Sequence, residues 1–191
     1  MKRGAWPLAA IAALFVGPLV VAIVLYAGRD SFGGFAELPN PDRELIENPP
    51  SLPLVALERP DGSLTDAAWS RSRWSMIYAR IGACDEPCAD ALRRLDAVHL
   101  ALGADRDRVQ TVFLAPEGSA GVPAAAGFLI GRLDVRAAAG LVGVLGPERL
   151  EQGRYFVVDP LGNLILSYPA DADQSRLLED LERLLEVSRV G

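Results

Sequence analysis

The chain has 191 residues, half of them apolar, so it has room for one ordinary domain with a packed core and an appended segment. Its formal net charge of -6 argues against a nucleic-acid-binding protein, which needs a basic face. The same charge argues against a protein that binds an anionic bilayer through a basic patch.

The first predicted element is an N-terminal transmembrane anchor over residues 1–28. No charged residue lies between Arg3 and Arg29, and a spanning helix needs ~20 apolar residues, which Trp6–Ala27 supplies. A cleaved signal peptide is the alternative, but its apolar region is only ~7–15 residues long, and Tyr26-Ala27-Gly28 is a poor cleavage site. A buried core helix is the third interpretation, and it fits poorly because the run is apolar all round.

Charges around the anchor predict its orientation. Lys2 and Arg3 precede the apolar run, whereas Arg29 after it is matched at once by Asp30. The positive-inside rule then places the N-terminus in the cytoplasm and residues 30–191 outside. In a bacterium this is a single-pass protein of the inner membrane, with its C-terminal domain on the periplasmic side.

A linker is predicted over residues 29–52, because its recurrent Pro and Gly cannot build a core. The domain itself is predicted to occupy residues 53–191. It opens with a short strand at Leu54–Leu57 and a hairpin turn at Pro60-Asp61-Gly62. Residues 74–79 are apolar on both faces, which predicts a central, buried strand.

The remaining predicted elements alternate between helix and strand. They are a helix over Pro87–Leu102, a strand over Val109–Leu114, a helix near Val135–Val144, a hairpin of Tyr155–Val158 with Leu164–Tyr168, and an amphipathic helix over Leu177–Glu186. This order predicts an α/β domain with parallel strand pairs and covering helices. A hairpin before the last helix is the thioredoxin-like pattern.

The only two cysteines, Cys84 and Cys88, lie where the central strand leads into the next helix. Pro87 fits the first helical turn, so Cys84 is predicted in the loop and Cys88 in that turn. Their sulfurs come within disulfide range if the loop curls back. The helix start favours a thiolate at Cys88, whereas Asp85 and Glu86 oppose it by placing negative charge between the sulfurs.

Three interpretations of the cysteine pair remain open from the residues alone. It is a redox dithiol that exchanges with a partner's thiols, a site for Cu(I), which accepts few soft ligands, or a purely structural disulfide. A loop of three residues removes little entropy from the unfolded chain, so the structural disulfide explains the pair least well. The end of a strand and the start of a helix is also where α/β folds place their chemistry.

Several segments together resemble the Sco/SenC family. They are the hairpin with its D-G turn, the strand W-S-M-I-Y-A-R, the Cys-x-x-x-Cys pair at a helix start, and the later hairpin Y-F-V-V-D-P-L-G-N-L. The resemblance covers about residues 51–188 together with the anchor. It implies a membrane-anchored, thioredoxin-fold protein of cytochrome c oxidase assembly.

The chain departs from that family at the copper ligands. Members with copper-chaperone activity use both cysteines and a distant His, whose counterpart here falls near Glu151, and Ala89 stands where the family has Pro. The single His, His99, lies eleven residues after Cys88, ~16 Å along the helix, so it is predicted to be a partly buried structural residue. The neighbourhood of a thioredoxin's cis-proline holds Gly153 or Arg154 instead.

These observations favour a membrane-anchored thiol–disulfide protein, an oxidoreductase, that assists assembly of the oxidase copper centre. Cys84 is expected to attack and Cys88 to resolve, with no cofactor required. The alternatives are a Cu(I) metallochaperone with both cysteines as ligands, and a non-catalytic assembly factor with a structural disulfide. The expected partners are membrane lipid, through the N-terminal helix, and an oxidase subunit or another assembly factor.

Overall fold

The computed structural model describes residues 14, 16–18, 20, 40–57, 59, 61–116, 129–133 and 135–188. The chain forms two compact units, Met1–Asn40 and Pro41–Gly191. In the first unit the described residues before residue 21 are helical, and the rest of the anchor predicted over residues 1–28 lies outside the described residues. Among the described residues, no helix has the length and apolar character needed to cross a membrane.

The second unit is a six-stranded sheet with helices on both faces. Its elements in chain order are β1 (Glu44–Leu45), β2 (Trp74–Ala79), α1 (Glu86–Ala101), a 3₁₀ helix (Gly103–Arg108), β3 (Val109–Pro116), β4 (Leu129–Leu133), α2 (Val135–Leu145), α3 (Pro147–Gln152), β5 (Arg154–Val158), β6 (Leu164–Pro169) and α4 (Gln174–Val187). The strand order is β1-β6-β5-β2-β3-β4. Strands β2, β3 and β4 run parallel, whereas β5, β6 and β1 pair antiparallel.

Strand β2 is the central strand that the sequence predicts, and all six of its residues are buried. Successive side chains point to opposite faces of a sheet, so β2 contributes to two separate cores. Met76 and Tyr78 pack with α1 and α4, whereas Ile77 and Ala79 pack with α2 and α3. This double coverage explains why the strand is apolar on both faces and lacks the alternation of a half-buried strand.

Most predicted elements are confirmed, with ends within two or three residues of those predicted. They are β2, α1, β3, α2, the β5–β6 hairpin and α4. The apolar stripe of α4 faces the core through Leu177, Leu181 and Leu185. The carboxylate of Asp173 caps this helix by accepting a hydrogen bond from the backbone N–H of Ser175.

The strand predicted at Leu54–Leu57 is wrong, because these residues form no regular strand. The chain does reverse after Leu57, since the backbone N–H of Thr65 donates to the Leu57 carbonyl at 2.9 Å. In return, the Leu57 N–H donates to the hydroxyl of Thr65 at 2.8 Å, so a side chain replaces the next backbone partner of a ladder. The predicted turn is confirmed by the bond from Arg59 N–H to the Ser63 carbonyl at 2.7 Å.

Residues 29–52, predicted as a linker, include the edge strand β1, which pairs antiparallel with β6. A strand of two residues is too short to show the alternation of apolar and polar residues that predicts a strand. Ion pairs of its side chains and their neighbours hold it at the edge of the sheet. Glu44 forms ion pairs with Arg149 and, at 3.0 Å, with Arg154. Arg43 reaches the buried carboxylate of Asp180 at 2.8 Å. Residues 29–39 lie outside the described residues.

Candidate functional site

Cys84 and Cys88 are joined by a disulfide at the C-terminal end of β2 and the start of α1. Their Cα atoms are 5.1 Å apart. The structure therefore brings the two predicted site residues together. Cys88 is fully buried, whereas Cys84 is partly exposed and packs against the edge of the same core.

The start of α1 is held by Asp85, the residue between the two cysteines that follows Cys84. Its carboxylate accepts a hydrogen bond from the backbone N–H of Cys88 at 3.2 Å, so Asp85 is the N-cap of the helix. Pro87 lies in the first turn, where its missing N–H removes no helical bond. The sequence therefore places Cys88 in the first helical turn and Cys84 in the loop, as predicted.

Arg80 follows the last residue of β2 and forms an ion pair with Asp85. Its guanidinium donates to a carboxylate oxygen of Asp85 at 2.5 Å. The N–H of Cys88 first, and then Arg80, hold the pKa of Asp85 below its ordinary value. One of the two acidic groups expected to oppose a thiolate therefore stays ionised but is paired with a cation, Arg80, that was not among the predicted site residues.

The guanidinium of Arg80 is held in a confined position. Its side chain is only 18% exposed, and its Nε atom is buried without a hydrogen-bond partner among the described residues. The buried hydroxyl of Tyr78 lies close to it, and burial raises the pKa of Tyr78 while the Arg80 charge lowers it. The one sequence signal for Arg80 is a charged residue directly after a buried strand.

Three aromatic side chains belong to the core cluster that contains Cys88 and against which Cys84 packs. The ring of Tyr78 lies 6.0 Å from that of Phe113 and 5.3 Å from that of Tyr155, between ring centres. The hydroxyl of Tyr155 donates to the carbonyl of Ala91 in α1 at 2.8 Å. This bond links β5 to the helix that carries Cys88.

Gly153, predicted in the neighbourhood of a thioredoxin's cis-proline, directly follows α3 and lies beside Tyr78 and Arg80. Its φ of +71° is in the left-handed region, and a Cβ atom there would lie 2.7 Å from the Tyr78 hydroxyl oxygen. The same Cβ would lie 3.5 Å from the Cβ of Arg80. Glycine is therefore required for both its backbone conformation and its lack of volume.

Among the described residues, no third His, Cys, Asp or Glu side chain joins Cys84 and Cys88 in a metal site. Glu151 is exposed on α3, and Ala89 brings no donor. His99 Nε2 lies 2.8 Å from the carbonyl of Val109 and 3.0 Å from that of Arg106, which confirms its structural role. Within the part of the chain that the structure describes, no group of three or more His, Cys, Asp or Glu residues is placed to hold a metal ion.

A parallel–antiparallel sheet with a cysteine pair between its central strand and the following helix defines a thioredoxin-like protein. The chain belongs to the family of the transmembrane-like, thioredoxin-like, C-terminal domain, whose model matches residues 74–188. No curated protein matches the chain.

Solved structures of Sco proteins share this fold. Copper-bound Sco1 from yeast has a TM-score of 0.61 and 16% identity, over 73% of this chain and 95% of that chain. Apo Sco1 from Thermus thermophilus has a TM-score of 0.58 and 21% identity, over 73% of this chain and 94% of that chain. BsSco, a member of the Sco family of cytochrome c oxidase assembly proteins with an identified disulfide switch, has a TM-score of 0.54 and 13% identity, over 75% and 99% of the two chains. The predicted Sco/SenC-like thioredoxin fold is therefore confirmed.

Proposed function

We propose that this chain is a thiol–disulfide protein that assists assembly of the copper centre of cytochrome c oxidase. The observation that carries the proposal is the asymmetry of the Cys84–Cys88 disulfide. One sulfur belongs to a partly exposed loop residue, and the other to a fully buried residue in the first turn of α1. Thiol–disulfide exchange uses one sulfur that a partner can reach and a second sulfur that attacks the resulting mixed disulfide.

In the proposed reaction, the reduced chain donates two electrons to a partner disulfide. The Cys84 thiolate attacks one partner sulfur, and the other leaves as a thiolate that takes up a proton. Cys88 then attacks the Cys84 sulfur of the mixed disulfide, and the second partner thiol is released. The products are a reduced partner and the Cys84–Cys88 disulfide. A dithiol protein of the same compartment returns the pair to the reduced form.

The helix start supports the role of Cys88 as the resolving residue. The positive end of a helix dipole stabilises a thiolate in the first turn, and the pairing of Asp85 with Arg80 reduces the opposing negative charge. The Cys88 sulfur is buried, so a large partner has direct access only to Cys84. This is why Cys84 is assigned the attack.

The place of action is part of the proposal. The fold is shared with BsSco, which is described as a cytochrome c oxidase assembly protein. The apolar run within residues 1–28 is proposed to anchor the chain as a single-pass protein in the inner membrane lipid, with residues 29–191 on the periplasmic side. From there the cysteine pair reaches an oxidase subunit or another assembly factor.

The proposal is tested in cells whose own gene is replaced by Cys84→Ser, Cys88→Ser or the control Ala89→Ser. Ala89 follows Cys88 in the same helical turn, so its variant controls for the serine itself. Both cysteine variants should accumulate like the wild type but give an oxidase that lacks copper, measured as metal per purified enzyme. Normal copper loading in both cysteine variants contradicts the proposal.

A second candidate, a Cu(I) carrier, is favoured by one observation: the yeast relative of the same fold was solved with copper bound. Reduction of the Cys84–Cys88 disulfide yields two thiolates at one site, which Cu(I) accepts as ligands. A further ligand then comes from the partner, with copper as cargo. Titration of the reduced chain with Cu(I) in the presence of a competing chelator tests this second candidate. A copper carrier must take Cu(I) from the chelator, and the Cys84→Ser variant must fail to do so.

A further inference from the structure

We propose that Arg80 is a positioning residue that controls which thiols react with the Cys84–Cys88 disulfide. By pairing with Asp85, it offsets a carboxylate that follows the reactive sulfur and so allows anionic thiolates to approach. This inference rests on the proposed thiol–disulfide function. It adds that the charges around the disulfide select which thiols react with it.

The geometry separates this role from a purely structural one. The helix cap needs only the Asp85 oxygen that accepts the Cys88 N–H, and it forms whether or not a cation lies beside it. Meanwhile Arg80 has a largely buried guanidinium whose Nε lacks a partner among the described residues. A buried, unsatisfied donor destabilises a fold. The helix cap by itself therefore does not explain why an arginine lies here.

The charges of the loop between β2 and α1 explain why an arginine lies at position 80. The segment from Arg80 to Cys88 contains one basic group and two acidic groups, Asp85 and Glu86, and both acidic side chains are exposed. An attacking thiolate carries a negative charge towards the Cys84 sulfur. Without Arg80 it meets two uncompensated carboxylates, whose charges act over a Debye length of about 8 Å. With Arg80 in place, one of the two is paired.

The surroundings of Arg80 hold this charge in place. Its side chain is only 18% exposed, and its Cβ lies beside Gly153, where a built Cβ would be 3.5 Å away. Its guanidinium is in contact with Asp85 in the loop. A fixed cation acts on every approaching thiol, so its effect depends on the charge of that thiol.

The experiment measures reduction of the oxidised full-length chain, in nonionic detergent, by two small thiols of opposite charge. Glutathione is anionic around its thiolate, and cysteamine carries an ammonium. A thiolate attacks the Cys84 sulfur, the Cys84–Cys88 bond breaks, and its electron pair leaves on Cys88, which takes up a proton. A second thiolate attacks the small-molecule sulfur of the mixed disulfide, which releases Cys84 and the oxidised small thiol.

The readout is the ratio of the two second-order rates, each per thiolate, from alkylation quenching and mass spectrometry. In Arg80→Gln the glutathione-to-cysteamine ratio should fall about three- to tenfold, and in Asp85→Asn it should rise by a similar factor. Arg80→Lys keeps the charge and should stay within about twofold of the wild type. The control is Arg93→Gln, which removes an exposed arginine paired with Asp90 on the same helix, and it should leave the ratio unchanged.

The ratio of the two rates distinguishes an effect of charge from a general loosening of the structure. A variant that only loosens the helix start accelerates both thiols alike, so its ratio stays at the wild-type value. An unchanged ratio in both Arg80→Gln and Asp85→Asn overturns the inference while leaving the proposed function standing. A wild-type disulfide that neither thiol reduces overturns the proposed function itself, and this inference with it.

Discussion

Replacement of Gly153 by alanine is the sharpest test of how the site is built. Gly153 combines a φ of +71° with a close approach to the hydroxyl of Tyr78, and each has its own cost. The chain offers a control for the first cost alone, because Gly62 has a φ of +80° with no atom within 4 Å of a built Cβ. A comparison of the two alanine variants therefore separates backbone strain from steric conflict.

The two contributions are of similar size. An L-residue in the left-handed region costs about 1–2 kcal/mol, which is the whole expected effect of Gly62→Ala. At Gly153 the added Cβ also lies 2.7 Å from the Tyr78 hydroxyl oxygen. That ring is buried between Phe113 and Tyr155 and cannot swing away. Overpacking of a tight core adds about 1–3 kcal/mol, so Gly153→Ala should lower the free energy of unfolding by about 2–5 kcal/mol.

The measurement is urea unfolding of the oxidised chain, followed by tryptophan fluorescence. A Tyr78→Phe change should recover about 1–2 kcal/mol in the Gly153→Ala background, because the nearest remaining ring atom, Cζ, lies at an ordinary contact distance of 3.4 Å. The same change beside Gly62→Ala should recover nothing. Equal losses in the two alanine variants, with no recovery by Tyr78→Phe, would falsify the steric argument.

Three further predictions concern the cysteines and the charged groups. Iodoacetamide should modify Cys84 in the Cys88→Ser variant at least about tenfold faster than it modifies Cys88 in the Cys84→Ser variant, because Cys84 is partly exposed and Cys88 is buried. Mass spectrometry measures both rates. The hydrogen bond from Arg149 holds the pKa of Glu44 below its ordinary 4.5, so the stability it contributes is complete above that value and is lost as pH falls through the lower folded pKa. Glu44→Gln should therefore weaken the acid sensitivity of unfolding below about pH 4.5, and it should cost less than about 1 kcal/mol at pH 7 because the side chain is 39% exposed. Asp180→Ala should cost about 2–4 kcal/mol in urea, since it leaves a buried tyrosine hydroxyl unpaired, and a loss below about 1 kcal/mol contradicts this.

The elements that the sequence predicted share a strong local pattern. Strand β2 is apolar at every position, and α4 repeats leucine at helical spacing over fourteen residues. Strand β4 was not predicted, because its Gly131 weakens a strand pattern and is needed only for packing. A Cβ there would lie 2.6 Å from a methyl carbon of Leu57, seventy-four positions earlier in the chain. No local pattern reports such a contact.

Helix α3 and strand β1 escaped prediction for a different reason. With six residues and two residues, they are too short for periodicity to develop. Their stability comes from pairs far apart in sequence, such as the ion pair between Glu44 and Arg149. The linker prediction relied on Pro and Gly content, and composition does not report that a segment joins a sheet edge.

The candidate site shows the same division between local and distant information. The positions of Cys84 and Cys88 follow from the strand before them and from Pro87 after them, all within fifteen residues, so they were predictable. The sequence also places Asp85 and its negative charge between the sulfurs. That charge is paired because Arg80, the residue after β2, reaches the Asp85 carboxylate. Gly153 directly follows α3, a helix too short to predict. The pairing of Asp85 with Arg80 therefore depends on the fold around the loop, and the Cys-x-x-x-Cys motif alone does not indicate it.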